Sequence, residues 1–339
     1  MRAIVYSEGG GPEVLRLVER PDPTPATGEV RVRVHVSGVN PTDWKARTRG
    51  PSTAGSEAVD TVPNQDGAGV IDGVGERVPK TRVGERVWIW EAAWQRADGT
   101  AQELVTLPSR QAVTLPDDAS FEVGASLGIP ALTAHRCLTV GRNSPIAVCP
   151  GSHEDMTILV AGGAGAVGHA AIQLARWAGA RVIATVSTDE KAALARAAGA
   201  DAVVNYREDG VVEAIRAHAP GGVDIVVEVA PAVNAALDAA VIAPTGTVAV
   251  YAVDGGGDLP VSWPLMQHNV GYAFVLVYTV PVEAKEQAVE NVSAAVAAGA
   301  LPVGDEAGLP LHRFPLDRVA DAHAAVEAGA VGKVLVDLS

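Results

Sequence analysis

Cysteine is scarce in this chain, with two residues in 339. That excludes a disulfide framework and a four-cysteine zinc site, and it suits a reducing compartment, so a cytoplasmic location is expected. Basic residues are outnumbered, 26 Lys+Arg against 40 Asp+Glu, for a formal net charge of −14. No Lys/Arg-rich run offsets this, which argues against a nucleic-acid or anionic-membrane surface. Long hydrophobic runs are missing as well. None reaches the ~18 residues a membrane helix needs. The opening MRAIVYSEGGGPEVLRL lacks the charged segment, apolar core and cleavage site of a secretory signal. A soluble protein is expected. Apolar residues make up 48% and charged residues 19%, enough for a sizeable core. The length suggests two domains, at ~100–200 residues each.

The first third reads as β-rich. Residues 3–6 form a short apolar run, and 30–36 alternate Val with Arg and His, the period-2 pattern of a half-buried strand. Residues 87–90 are another short candidate. Gly and Pro punctuate the region heavily, as in a barrel or sandwich-like domain. After Ser120 the texture changes. Residues 121–138 are helical in pattern, with a break expected before Pro130. Strands at 157–160, 181–186, 201–205, 223–229, 247–251 and 272–279 then alternate with helices at 165–178, 189–198 and 211–217. That alternation predicts a doubly wound parallel sheet. A helix at 316–328 and a strand at 333–336 close the chain.

Gly163-Ala164-Gly165-Ala166-Val167-Gly168 fits G-x-G-x-x-G between a strand and a helix. Such glycines permit a tight turn and let backbone N–H groups approach a pyrophosphate, aided by the helix N-terminus. The alternative is a Gly-rich turn that merely packs closely. An NAD site carries Asp or Glu at the end of the second strand. Here that strand ends Ala184-Thr185-Val186-Ser187-Thr188, and Asp189 falls where it can cap the next helix. The missing carboxylate favours NADP(H): Ser187 can hydrogen-bond a 2′-phosphate and Lys191 can supply charge, or Lys191 is simply an exposed helix residue.

Several stretches, in order along the chain, resemble the zinc-free medium-chain dehydrogenase/reductases of the quinone oxidoreductase (zeta-crystallin-like) branch. They are Ser37-Gly38-Val39-Asn40-Pro41-Thr42-Asp43-Trp44-Lys45, Asp66-Gly67-Ala68-Gly69-Val70, Val83-Gly84-Glu85-Arg86-Val87 and Gly128-Ile129-Pro130-Ala131-Leu132-Thr133-Ala134. The glycine turn, Ala198-Gly199-Ala200-Asp201, Asn205-Tyr206-Arg207 and Gly332-Lys333-Val334 complete the set. The resemblance implies an α/β fold: a GroES-like substrate domain over 1–125, completed by 281–339, and a Rossmann domain over 126–280. It implies a cleft between the two for the reaction. It places Ser187, Lys191 and Tyr206 at the adenosine 2′-phosphate, Thr133 near the nicotinamide, and Tyr251-Ala252 beside it. Thr133 as a plain helix residue and Tyr206 as a surface ring are the bland alternatives.

Zinc-dependent relatives of this family carry metal ligands where this chain has Asn40, Gln65 and Ile129. None is the Cys or His that zinc prefers, and Cys137 and Cys149 stand at no ligand spacing. Cys137 reads as buried filler. Without a Lewis acid, hydride donation to an already electrophilic acceptor, a quinone or an activated C=C bond, is favoured over alcohol oxidation. Asn40 can donate an amide N–H to a substrate oxygen, or is a turn residue before Pro41. Asp43 orients neighbours or caps. Trp44, Trp88, Trp90 and Trp94 wall a pocket or pack a core, the core being favoured for Trp88 and Trp90, two apart on one strand face. The branch's usual tyrosines are replaced by Lys45 and Leu104, and one near Pro51 is absent. Quinone specificity is thereby weakened. Lys45 assists an anionic or carbonyl substrate or is a solvated lysine. The expected activity is NADPH-dependent quinone reduction, with enone or enoyl reduction and non-catalytic dinucleotide binding as alternatives. The apolar segment 272–280, read as an edge strand, predicts a homodimer.

Overall fold

The computed structural model describes residues 1–51 and 60–338. Residues 52–59 and 339 fall outside them. The chain forms two compact units, Met1–Ile129 with Leu311–Ser339, and Pro130–Pro310. It begins with an antiparallel pair, β1 (Arg2–Val5) and β2 (Arg16–Glu19). β3 (Glu29–Val39) leads into helix α1 (Pro41–Arg49). Then come β4 (Asp66–Val74), β5 (Arg86–Ile89), β6 (Leu104–Pro108), β7 (Ala112–Thr114) and α2 (Phe121–Thr139). Strands and helices alternate through β8 (Thr157–Ala161), α3 (Ala166–Trp177), β9 (Arg181–Val186), α4 (Asp189–Ala197), β10 (Ala202–Asn205) and α5 (Val211–His218). The alternation continues with β11 (Val223–Glu228), α6 (Pro231–Val241), β12 (Ile242–Val250), α7 (Trp263–Gln267), β13 (Gly271–Phe274) and α8 (Val282–Ala297). β14 (Leu311–Pro315), α9 (Val319–Glu327) and β15 (Lys333–Asp337) complete the first unit.

In the first unit, the alternation along β3 does what the sequence pattern predicts. Val30, Val32, Val34 and Val36 are buried, while Arg31, Arg33 and His35 face partly or fully outward. The main sheet runs β14-β15-β3-β4-β5-β7, with β6 also paired to β3. Its registers set up the site. β15 pairs antiparallel with β3, Val334 opposite Val39, and β4 pairs with β3, Asp66 opposite Gly38. Lys333 and Asn40, one step beyond the Val334–Val39 pair, and Asp66, opposite Gly38, therefore come together at one end of three neighbouring strands. Trp88 and Trp90 are buried, as the core reading expected, while Trp44 and Trp94 are half-buried.

The second unit is a six-stranded parallel sheet, order β10-β9-β8-β11-β12-β13. The order reverses direction at β8/β11. Ligands of open α/β sheets bind at such a point, outside the carboxyl ends of the strands. The glycine turn follows β8 directly.

Four expectations change. The division between units falls at 129/130 and 310/311, not at 125/126 and 280/281. Residues 281–310 belong to the parallel-sheet unit because polar side chains tie them there. Asn291 Oδ1 pairs with His135 Nε2 at 2.9 Å and accepts from the Val148 N–H at 2.8 Å, and His169 Nε2 donates to the Ala307 carbonyl at 2.8 Å. Pro130 does not break its helix. A side chain stitches the turn around it, the Ile129 N–H donating to Asp66 Oδ1 at 2.9 Å. The strand expected over 272–279 stops at Phe274, and Val277–Thr279 form a 3-10 turn. Asp189 is not the cap of α4. Thr188 is, its hydroxyl accepting from the Lys191 N–H at 3.3 Å.

Candidate active site

Two constellations carry the chemistry-bearing residues, and each is described within its own unit. In the parallel-sheet unit, the turn after β8 needs its glycines. Gly162 has φ 69°, a conformation that costs other residues strain. A Cβ on Gly168 would overlap the Gly162 carbonyl oxygen, and one on Gly163 would stand 2.8 Å from Ala184 Cβ. The close approach of α3 to the sheet therefore depends on glycine at both positions. The N-cap Gly165 offers no side-chain cap, and the first turn of α3 holds no acidic residue. Its leading N–H groups, at Ala166, Val167 and Gly168, have no helical partner. An uncapped helix N-terminus of this kind suits a phosphate. Ala164 lies buried inside the turn.

At the carboxyl end of β9, Ser187 is buried and accepts a hydrogen bond from Lys191 Nζ at 3.3 Å. Tyr206 follows β10. Its N–H donates to the Val186 carbonyl at 2.9 Å, and its ring is 47% exposed. The structure thus gathers Ser187, Lys191 and Tyr206 at one strand end with no carboxylate at 187. Tyr251 and Ala252 follow β12, half-buried, and the Tyr251 N–H donates to the Glu228 carbonyl at 3.0 Å. Thr133 is buried on α2. It makes no hydrogen bond to the glycine turn among the described residues.

The first unit holds a buried polar network. Asn40, at the N-cap of α1, is 3% exposed. Its backbone N–H donates to Asp43 Oδ2 at 2.7 Å, and its side-chain Nδ2 donates to Asp66 Oδ2 at 2.6 Å. Its Oδ1 accepts from Lys333 Nζ at 2.7 Å. Lys333 also lies 3.4 Å from Asp66 Oδ2. Both members of this ion pair are fully buried, and burial pushes both toward their neutral forms, opposed by the contact between them. Burial, with the nearby Asp66 charge, pushes the Asp43 carboxyl up to about 8. A Cβ on Gly128 would overlap Asp66 Oδ1, so glycine there lets α2 bring the Ile129 N–H to that carboxylate.

Asp43 is therefore a capping residue as well as a neighbour of the network. Asn40 is far more than a turn residue, yet most of its hydrogen-bonding capacity is spent internally, leaving one amide hydrogen on Nδ2. Lys45 stands apart from both. It is half-buried on α1, with Nζ 5.6 Å from the Trp44 ring centroid. Lys333 and Asp66 stand in the sequence only as parts of longer motifs. They lie 267 residues apart in the chain, and no local periodicity joins them. A second buried pair went unseen for the same reason. Asp238, on α6, is pushed up to about 8 by burial and by Glu228 at the end of β11.

The positions at which zinc-dependent relatives hold metal do not fit one here. Both ends of the Asn40 amide are engaged, Gln65 Oε1 accepts from the Ala93 N–H at 3.1 Å, and Ile129 has no donor side chain. Among the described residues no group of three His, Cys, Asp or Glu could hold a metal ion, and no helix is long and apolar enough to cross a membrane.

Comparison with known proteins agrees with this architecture. A family model described as alcohol dehydrogenase GroES-like domain matches residues 26–117, and one described as zinc-binding dehydrogenase matches residues 166–294. The human quinone oxidoreductase is 30% identical over 99% of this chain and 97% of its own. A mycobacterial protein solved in complex with NADPH superposes with a TM-score of 0.80 at 31% identity, covering all of both chains. An NAD-dependent alcohol dehydrogenase superposes with a TM-score of 0.85 at 28% identity, again over all of both chains. With this likeness running the length of both units, the chain belongs to the quinone oxidoreductase branch of the medium-chain dehydrogenase/reductases, a family of oxidoreductase enzymes.

Proposed function

We propose that this enzyme uses NADPH to reduce a quinone. The observation that carries the cofactor is the Lys191–Ser187 contact at the end of β9, where an NAD site would carry a carboxylate. Fixed charge and a hydroxyl at that point suit a 2′-phosphate, and the uncapped start of α3, with Gly163, Ala164, Gly165, Ala166, Val167 and Gly168, suits the pyrophosphate. Tyr206 borders the adenosine end, and Thr133, Tyr251 and Ala252 border the nicotinamide. Bound there, reduced nicotinamide supplies the hydride. The acceptor gains that hydride and a proton from solvent, which converts a quinone to its hydroquinone. Lacking zinc donors at Asn40, Gln65 and Ile129, the chain relies on orientation and on hydrogen bonds to the acceptor oxygen.

The human relative's name supports a quinone as acceptor. Lys45 and Leu104, in place of the branch's tyrosines, favour a second reading, reduction of an enone. NADPH absorbance followed against parallel panels of quinones and enones tests both. Quinones turning over faster supports the first reading, faster enones the second, and no turnover on either panel contradicts both.

The same proposal extends to a homodimer. β13 is the edge strand of its sheet, and Phe274, Leu276, Met266, Trp263 and Val261 are 71%, 52%, 61%, 71% and 77% exposed. An open strand edge beside so many exposed apolar side chains is an aggregation hazard that pairing with a second copy about a two-fold axis removes.

A further inference from the structure

We infer that Lys333 is a positioning residue for hydride transfer: with Asp66 it reads the two ends of the Asn40 side-chain amide and holds that amide in one orientation. The inference rests on the reduction proposed above.

An ammonium can only donate a hydrogen bond, and an ionised carboxylate can only accept. Lys333 Nζ donates to Asn40 Oδ1 at 2.7 Å, and Asp66 Oδ2 accepts from Asn40 Nδ2 at 2.6 Å. Turning the amide over would set its NH2 against the ammonium and its oxygen against the carboxylate. Two attractive contacts would become two repulsive ones. The lock is buried, since Lys333 is 1%, Asp66 0% and Asn40 3% exposed. Water therefore cannot stand in for either partner.

The backbone of Asn40 is held by other means. Its N–H donates to Asp43 Oδ2, and the strand before it is paired to β15 and β4. Lys333 is not needed to start α1 or to hold β15 in the sheet. What it adds is the side-chain orientation. A buried ion pair is a weak way to gain stability, because apolar replacements of similar volume are often neutral or stabilising. An orientation role explains a charge there better than a stabilising one. The Nδ2 hydrogen not given to Asp66 then has one fixed direction, and under the proposed reduction it is the hydrogen Asn40 would offer to an acceptor oxygen on which negative charge develops. A preorganised donor of this kind acts without reorganising when charge develops.

The test uses the full-length enzyme and the doubly neutralised variant Lys333→Met/Asp66→Asn, because Lys333→Met alone would leave Asp66 buried and unpaired. NADPH affinity is read by titration, and kcat and KM by NADPH absorbance with a quinone. The expected result is a fall in kcat of about 10-fold or more, short of the ~10²–10³ for deleting such a donor outright, with NADPH affinity unchanged. The same pair of substitutions made in an Asn40→Ala background should add almost nothing, because its effect passes through Asn40. A doubly substituted enzyme with wild-type kcat, or losses that multiply in the Asn40→Ala background, would overturn the inference alone. No turnover by the wild type on any acceptor would overturn the proposed reduction and this inference together.

Discussion

Lys191 and Asp43 carry single-residue consequences that can be measured separately. Lys191 Nζ lies 3.3 Å from Ser187 Oγ, so its charge is already held at the strand end where a 2′-phosphate would bind. A charge-assisted contact is worth about 1.5–3 kcal/mol. Lys191→Ala is therefore expected to weaken NADPH by roughly 10- to 100-fold in a fluorescence titration, with little change for NADH. Equal losses would remove Lys191 from the phosphate site. Asp43 speaks through pH. Its carboxyl is pushed from 3.8 up to about 8, by burial first and then by the Asp66 charge. Between those values the folded state keeps a proton that the unfolded chain has released. This group's contribution to stability therefore falls as pH rises from about 4 to about 8 and levels off above. Asp43→Asn, which keeps an oxygen for the Asn40 N–H, removes that dependence. Its melting temperature should gain on the wild type between pH 5 and pH 8, at the ~2–4 °C per kcal/mol usual for a unit of this size. A gap constant across that range would show that Asp43 ionises normally. What could be read in the sequence at this scale was the residue types. Ser187 without a carboxylate was legible. The partners of Asn40 were not, because Lys333 and Asp66 reach it through sheet register rather than through sequence spacing.

The strands and helices show the same division between local and distant causes. β3 was legible because Val30, Val32, Val34 and Val36 record a buried face directly. The turn after β8 was legible because glycine spacing records backbone geometry. Gly168→Ala tests that turn. The added Cβ would meet the Gly162 carbonyl, a backbone atom that cannot step aside, so α3 must shift from the sheet. NADPH affinity is expected to fall at least about 10-fold, measured by titration, while Gly165→Ala, whose nearest neighbour stands 3.4 Å away, should fall less. Neither position has a positive φ, so equal effects would mean that room for the ligand at Gly165 matters as much as close packing at Gly168. Pro130 and the 281–310 segment misled for a common reason. Both are governed by tertiary hydrogen bonds, Ile129 to Asp66 in one case and His135 to Asn291 in the other. β13 stops at Phe274 because its one partner, β12, ends opposite it at Val250, a limit set by pairing that hydropathy does not record.

The scarcity of cysteine and the acidic charge bear on the whole molecule. The zinc-ligand positions hold an amide, another amide and an isoleucine, and an internal lysine serves as the buried cation beside them. Under the proposed reduction, orienting the acceptor falls to the chain's own donors. The open β13 edge places a second demand on the assembly. Phe274→Glu puts a charge into the proposed two-fold contact, and light scattering is expected to show a monomer where the wild type is a dimer. A wild type that is monomeric at micromolar concentration would contradict the pairing. Steady-state kcat/KM with NADPH and with NADH, against one quinone under identical conditions, tests the cofactor preference most directly. At least about a 10-fold preference for NADPH is expected from one charge-assisted phosphate contact. Equal use of the two cofactors, or a preference for NADH, would contradict it.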